Sequence, residues 1–266
     1  LVAGAQRGAE AVATLAREEI RVHAAQGAYP FVFVGIDIRR ALPNSIRVVD
    51  NSPNGWALEM VNTVDGARYR DEFGGGFTTT NDILEFIPGE TDFNLLGQLT
   101  TMPLQNYPNN RVVIYNTSPT DLYFDAANNS NPGIISRPGF TLSLTGIEHH
   151  INLDNPHRFA FSSPTQRLFV VDGPVSYICD TATGRLTRFS GYAYQASQAA
   201  VDTVAELSAL AGVQIGRVAS QLANCSIIYQ PGSAQRGGLI TLELAVTDSE
   251  NESVRLLHQV HVENLP

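Results

Sequence analysis

Hydrophobic and polar residues alternate most regularly near the C-terminus. Residues 240–247 and 253–262 each place an apolar side chain at every second position, and the polar stretch DSENE (248–252) separates them. A period of two is typical of a strand with one buried and one solvated face. This part of the chain therefore predicts an antiparallel β-hairpin.

Shorter apolar runs predict further strands along the middle of the chain. Each is bounded by Gly, Pro, Asn or Asp, which end or turn strands. The runs lie at residues 46–49, 56–61, 83–87, 111–115, 140–144 and 167–171. Most of the chain is therefore expected to be antiparallel sheet.

Two segments have helical patterns instead. Residues 5–27 carry an apolar stripe at a period of 3.6, opposite a charged face. The stripe consists of Ala9, Val12, Ala13, Ala16, Ile20 and Ala24, and the charged face of Arg7, Glu10, Arg17, Glu18 and Arg21. Gly27 and Pro30 indicate either a stop or a kink there, and residues 199–212 predict a second, short helix. The predicted fold class is α+β, with an N-terminal amphipathic helix followed by a large antiparallel β head.

Composition and charge narrow the possible functions. Charged residues make up 16 % of the 266-residue chain, against about 25 % in typical globular proteins. The formal net charge of -9 argues against nucleic acid and against anionic membrane surfaces as partners. No apolar run reaches the roughly 20 residues that span a bilayer. The chain does not begin with Met and shows no signal-peptide pattern, so we expect a mature or truncated portion.

The chain has two cysteines, Cys179 and Cys225, which are far apart in the sequence. Their spacing excludes a CxxC redox centre and their number excludes a four-cysteine zinc site. Two buried free thiols are one interpretation. A disulfide is favoured because the polar, Asn-rich composition is typical of envelope and extracellular proteins.

Several motifs suggest chemistry, but each has a simpler structural interpretation. FGGGFTTT (73–80) lacks the ending of a phosphate loop and predicts a flexible turn. In HQVH, a strand would send His258 and His261 to opposite faces, which predicts a core and a surface histidine. EHH (148–150) and His157 favour a solvated turn, with a zinc or calcium site as the alternative.

The acidic, Asn-rich stretches at residues 121–133 and 247–253 offer oxygen ligands of the kind that calcium prefers, but neither matches an EF-hand loop. No G-x-S-x-G elbow is present. We therefore predict no catalytic residue, no cofactor and no metal ligand, and we expect that the chain is not an enzyme.

Several segments resemble one known family. DIRRALPNSIRV (37–48) is similar to the junction between the N-terminal helix and the head of type IV pilin-like proteins. QRLFVVDGPVSYICD with GRLTRFSGY (166–192), CSIIYQPGSAQRGGLITLELAVT (225–247) and LLHQVHVENLP (256–266) resemble, in the same order, the minor pilin O family of mannose-sensitive haemagglutinin (MSHA) pili. That family is related to the J pseudopilins of type II secretion.

The resemblance implies a division into residues 1–42, a pilin helix segment without its transmembrane half, and residues 43–266, the β head. Residues 170–192 would be a paired strand unit with turns at Asp172-Gly173-Pro174 and near Thr183-Gly184. Cys179 would be tied to Cys225 at the start of a later strand.

The implied function is that of a structural minor pilin that takes part in pilus assembly, in a priming or tip complex. Its partners would be major and minor pilins bound through the N-terminal helix, and it would contact membrane only through a missing hydrophobic segment. It would lie in the bacterial cell envelope, anchored in the inner membrane as a precursor, and then in the filament.

Three alternatives remain open. A pilus-tip module that binds a glycan would group exposed aromatic residues, with Trp56, Tyr107 and Tyr123 as candidates. A type II secretion pseudopilin would share the architecture. A hydrolase has the least support, because no Ser, His and Asp come together in the sequence pattern.

Overall fold

A computed structural model describes residues 34–51, 54–77, 79, 82–232, 237–247 and 253–262. Residues 34–39 are helical, and two α-helices follow, α1 (Pro119–Asn128) and α2 (Val204–Ser208), with a 3₁₀ turn at Gln198–Ala200. The strands are β1 (Arg47–Asp50), β2 (Gly55–Arg68), β3 (Asp92–Asn94), β4 (Asn106–Tyr107), β5 (Arg111–Ile114), β6 (Phe140–Thr145), β7 (Glu148–Leu153), β8 (Arg167–Asp180), β9 (Arg185–Ser190), β10 (Gln214–Ala219), β11 (Leu222–Gln230), β12 (Leu239–Thr247) and β13 (Ser253–His261).

Strand β8 organises the largest sheet because it is paired along both of its edges. On one edge β2 runs antiparallel to it, from Gly55 opposite Asp180 to Arg68 opposite Arg167. On the other edge β5 pairs with the first part of β8 and β9 with its last part. β1 beside β2 and β10 beside β9 complete this central sheet.

Two smaller antiparallel sheets pack with the central sheet. The lateral sheet has the order β3-β7-β6-β4, and the C-terminal sheet has the order β11-β12-β13. The predicted C-terminal hairpin is confirmed, with Val246 opposite Val254 and Leu244 opposite Leu256. The alternation also holds, because every second side chain of β12 from Ile240 to Leu244 is buried. The intervening residues 248–252 lie outside the described ranges.

The predicted α+β fold class is wrong. Of the described residues, 47 % lie in strands or bridges and 12 % are helical, and the strands form three sheets. The physical reason is that sheets mainly cover sheets. The C-terminal sheet buries Ile240, Leu242 and Leu244 against Leu58 and Met60 of β2. The lateral sheet buries its inner face against β5 and the first part of β8, while α1 and α2 cover only local patches.

The predicted N-terminal helix at residues 5–27, and its continuity through Gly27–Pro30, lie outside the described residues. The division into residues 1–42 and 43–266 stays a prediction. Within the described part, Val34, Ile38 and Ala41 belong to the same buried cluster as the C-terminal sheet.

Three local predictions are corrected. Asp172-Gly173-Pro174 is not a turn, because β8 continues through it with a register shift opposite β2. Residues 83–87 are irregular instead of forming a strand. In residues 199–212, the α-helix covers only Val204–Ser208, where Thr203 and Glu206 form a capping box.

Candidate functional site

The described chain begins at a segment that is fixed to the central sheet, and we call residues 34–46 the junction. The amide of Thr63 donates to the carbonyl of Arg40 and the amide of Leu42 donates to the carbonyl of Val61, both at 2.8 Å. The amide of Val61 in turn donates to the Ser45 hydroxyl at 3.1 Å. The junction therefore extends the pairing of β2 beyond β1.

A turn inside the junction is stabilised by side chains. Asn44 has a positive φ of 57°, a conformation that Asn tolerates better than most residues. Its side-chain amide donates to the carbonyl of Asn116, and the Asn116 side chain donates to the carbonyl of Pro43 at 2.8 Å. This reciprocal pair ties the turn to the loop before α1.

The helical part of the junction is attached to the rest of the protein by apolar contacts and by one charged side chain. Val34 and Ile38 are buried in the cluster below the C-terminal sheet. On the adjacent side, Tyr177 and Arg188 both donate to one oxygen of the Asp37 carboxylate at 2.7 Å. Burial, and then the charge of Asp37, raise the pKa of Tyr177, so its hydroxyl stays a donor at neutral pH.

A second polar network lies directly after the junction. Arg47 forms a salt bridge with Glu59, whose side chain is 1 % exposed, and its guanidinium stacks 3.5 Å from the ring centroid of Tyr123. Tyr192 donates to the other Glu59 oxygen at 3.1 Å and shares a 2.6 Å hydrogen bond with Ser176. Burial raises the pKa of Glu59, and the Arg47 charge opposes that rise. The buried carboxylate is thus held by a cation and a hydroxyl of the protein itself.

The prediction of a solvated turn at EHH (148–150) is wrong, because these residues begin β7. Glu148 is buried and pairs with Arg70, and Nδ1 of the buried His149 accepts from the Leu99 amide at 3.0 Å. His150 contacts Asn94 at 2.6 Å. Glu148 therefore connects the lateral sheet to the chain just after β2, while His149 and His150 make contacts close to β3.

His157 is fully buried and lies apart from that group. Its Nε2 lies 3.1 Å from the carbonyl of Gly133, while Nδ1 is buried without a hydrogen-bond partner. Its ring meets that of Phe159 edge to face. Burial lowers the pKa of His157, so it is a neutral core residue at pH 7.

The acidic stretch at 121–133 is largely helix instead of the expected loop. Ser118 caps α1, Pro119 follows it, and Leu122, Tyr123 and Ala126 are buried. A Ser at the N-cap followed by Pro at the first helical position is a sequence signal for the start of a helix. The Asn-rich composition of the stretch led instead to the prediction of a loop. Of the second acidic stretch, residues 248–252 lie outside the described ranges.

The FGGGFTTT motif agrees with its structural interpretation, and HQVH agrees in part. Gly75 and Gly76 have positive φ and form a tight turn between Gly74 and Phe77, which exchange backbone hydrogen bonds. On β13, His261 is exposed as predicted, whereas His258, predicted to be a core residue, is half-buried. The described part of 73–80 therefore holds a turn.

The predicted disulfide is confirmed. Cys179 of β8 and Cys225 of β11 are bonded, with Cα atoms 6.6 Å apart. Both are buried in the cluster between the central and C-terminal sheets. The bond joins these two sheets through the core.

The three aromatic candidates for a glycan site are not brought together. Trp56 packs against the cluster below the C-terminal sheet, Tyr107 packs against the lateral-sheet cluster, and Tyr123 is a fully buried residue of α1. The Tyr107 hydroxyl also donates to the Pro103 carbonyl at 2.6 Å. The structure therefore gives no shared aromatic surface from these residues.

Two features are absent from the part of the chain that the structure describes. No group of three or more His, Cys, Asp or Glu side chains there is placed to hold a metal ion. No helix in this part is both long and apolar enough to cross a membrane.

Comparison of the chain with protein-family models, with curated proteins and with solved structures yields no match.

Proposed function

We propose that the chain is a structural, non-catalytic minor pilin of a type IV pilus of the MSHA kind. In this proposal residues 43–266 form the head, residues 34–42 attach to it, and the residues before position 34 pack with other pilins. Its location would be the bacterial cell envelope and then the filament. The resemblance of residues 37–48 and of three later segments to the minor pilin O family is the starting point.

The observation that carries the proposal is the fixed junction. A subunit that hangs on a filament by its N-terminal segment needs that segment attached rigidly to its head. The backbone pairing of Arg40 and Leu42 with β2, together with the Asp37 contacts, supplies such an attachment. It lies in the DIRRALPNS stretch that the resemblance marked as the joint.

The disulfide supports an oxidising compartment for the head. Structural disulfides persist in the periplasm and outside the cell and are rare in the cytosol. The Cys179–Cys225 bond is buried between two sheets, which is typical of a structural bond. This agrees with a periplasmic or extracellular head.

The test places bulky side chains in the small-residue stripe of the full chain. Small residues allow helices to approach closely, so Ala13→Trp with Ala16→Trp should lower co-purification with pilins of the same system by about tenfold or more. Glu10→Gln with Glu18→Gln, on the opposite predicted face, is the matched control. Affinity capture from cells that express the other pilins measures both variants.

Unchanged capture of partner pilins by the Ala13→Trp, Ala16→Trp variant would refute assembly through this segment. The disulfide and the thermal transition of the head should be the same in both variants. If only the tryptophan variant lost the disulfide or the thermal transition, the idea that the packing segment and the head are independent would also be contradicted.

A further inference from the structure

A cleft of about 680 Å³ opens at one end of the central sheet. The loop between β1 and β2 contributes Asn51 and Asn54, and the turn after β8 contributes Asp180. Asp202 and Val204, at the start of α2, form the third wall. The volume lies within the roughly 300–1,000 Å³ of typical ligand sites.

Hydrogen bonds between the walls hold the cleft in shape. The Asn51 side chain donates to the carbonyl of Asp202 at 3.0 Å, which joins the first wall to the third. The amide of Thr181 donates to the carbonyl of Asn54 at 3.1 Å, which joins the first wall to the second. The three walls are therefore connected without a ligand.

The lining has an apolar floor and an acidic rim. Ile178 and Val204 supply aliphatic surface, and Asp180 and Asp202 supply carboxylates, while none of the residues that line the cleft is basic. Arg185 stands opposite Asp180 in the strand register but is not part of the lining. A cation with an aliphatic stem complements such a surface.

The neighbourhood of Asp202 also disfavours an anion. Partial burial raises the pKa of Asp202, and a side-chain hydrogen bond to Glu206 and the charge of Glu206 raise it further. The Glu206 carboxylate already accepts from the amide and hydroxyl of Thr203. A positive charge placed in the cleft would relieve the repulsion between these two carboxylates.

The hydrogen bonds of Asp180 favour an ammonium over a guanidinium. One of its oxygens accepts from the amides of Ala182 and Thr183, and the other from the Thr183 hydroxyl. Arginine pairs best with two free oxygens of one carboxylate, whereas the lysine ammonium is a compact point charge that does not require a bidentate partner.

We propose that this cleft binds a lysine side chain carried on a peptide segment of a partner protein. The ammonium lies between Asp180 and Asp202, and the stem lies on Ile178 and Val204. The side-chain amide of Asn54 and the side-chain oxygen of Asn51, whose N–H group is bonded to the Asp202 carbonyl, would contact the peptide groups on either side of the lysine. The proposal depends on the cleft alone and stands apart from the function proposed above.

The test uses the full chain and a blocked alanine–lysine–alanine tripeptide, with the norleucine tripeptide as its uncharged match. We expect saturable shifts of the Ile178 and Asp202 amide signals in NMR titrations. The norleucine peptide should bind at least tenfold more weakly. Added salt should weaken the binding of the lysine peptide, because interactions between partly exposed charges are screened.

Substitutions locate the binding. Asp180→Asn keeps an oxygen for the turn amides, and Asp202→Asn removes a charge that Glu206 repels, so both variants should fold. Each substitution should lower the affinity for the lysine peptide about fivefold to tenfold. Glu72 is an exposed acid outside the cleft, so the Glu72→Gln variant should bind the peptide like the unaltered chain.

Equal binding of the lysine and norleucine peptides would overturn the proposal, and so would unchanged affinity in both aspartate variants. Equal binding of the arginine tripeptide would overturn the preference for an ammonium. Binding of spermidine without binding of the lysine peptide would mean a site for small amines, which also overturns it.

Discussion

At the scale of single residues, two buried carboxylates of this protein pair with side chains from other segments of the chain. Glu59 pairs with Arg47 and Tyr192, and Glu148 pairs with Arg70, 78 residues away. A carboxylate without such partners would cost several kcal/mol to bury. The Glu148 pair links the lateral sheet to the chain just after β2. The Glu59 pairs join β2 to β1 and to the segment after β9 within the central sheet. We assign both carboxylates a structural role.

The neutral state of buried His157 should make stability depend on pH. Burial lowers its pKa in the folded chain, so the unfolded chain binds a proton first as the pH falls below about 6.5. Stability from this group is thus complete above that pH and is lost as the pH falls toward the folded pKa. The slope is at most about 1.4 kcal/mol per pH unit for one proton.

Urea unfolding between pH 7 and pH 5 measures this effect. His157→Gln retains a donor for the Gly133 carbonyl but cannot be protonated, so its stability should fall less over this range than that of the unaltered chain. His261→Gln, which removes an exposed histidine, is the control and should leave the slope unchanged. Equal slopes in all three proteins would refute the assignment.

At the scale of elements, the sequence predicted strands well where one face is buried and the other solvated. β12 and β13 follow a strict alternation and pair as expected. β7 was missed, because Glu148 and His149 are buried by partners from remote parts of the chain and leave no local signal. β8 was predicted as interrupted, because Asp172-Gly173-Pro174 has the composition of a turn, whereas pairing with β2 on one edge keeps it extended.

Two glycines of the central sheet allow a matched test of close backbone approach. Gly55 and Gly173 both have a φ of +135°, but a Cβ at Gly55 would lie 1.8 Å from the carbonyl oxygen of Cys179, whereas a Cβ at Gly173 meets nothing within 4 Å. Gly173→Ala should cost only backbone strain, about 1–3 kcal/mol. Gly55→Ala should cost at least about 2 kcal/mol more, because the β2–β8 pairing must shift.

Chemical denaturation of the two alanine variants gives both free energies of unfolding. If Gly55→Ala and Gly173→Ala lost the same stability, the close contact between Gly55 and the Cys179 carbonyl would be disproved. Retention of the Cys179–Cys225 bond in both variants is the control for correct folding.

At the scale of the whole molecule, the sequence predicted the covalent link and missed how the sheets assemble. Cys179 and Cys225 were the only candidates for a disulfide, so their pairing followed from composition. The cleft between Asn51, Asp180 and Asp202 was not predictable, because its three walls lie far apart in the chain and meet only after the central sheet has formed. The junction contacts of Asp37 depend on the same long-range assembly.

The disulfide should stabilise the connection between the central and C-terminal sheets. Its cysteines are 46 residues apart, and closing a loop of that length contributes about 4 kcal/mol in the chain-entropy description. The double variant Cys179→Ala, Cys225→Ala should therefore melt at a markedly lower temperature. A reducing agent should lower the melting temperature of the unaltered chain and leave that of the double variant unchanged.

Differential scanning calorimetry with and without the reducing agent makes this comparison. A double variant that melts at the same temperature as the oxidised chain would show that the bond adds nothing to the packing of the two sheets. A response of the double variant to the reducing agent would show that the agent acts elsewhere.

The pairing of residues 40–42 with β2 also has a mechanical consequence. Residues 40–42 run antiparallel to a long strand. Tension applied through the residues before position 34 would therefore act on the hydrogen bonds of this pairing in shear, so that they bear the load together and do not break one at a time. From β2 the load would pass to β8 and across the sulfur bridge to β11. A domain attached in this way would resist a pull on the residues that precede position 34.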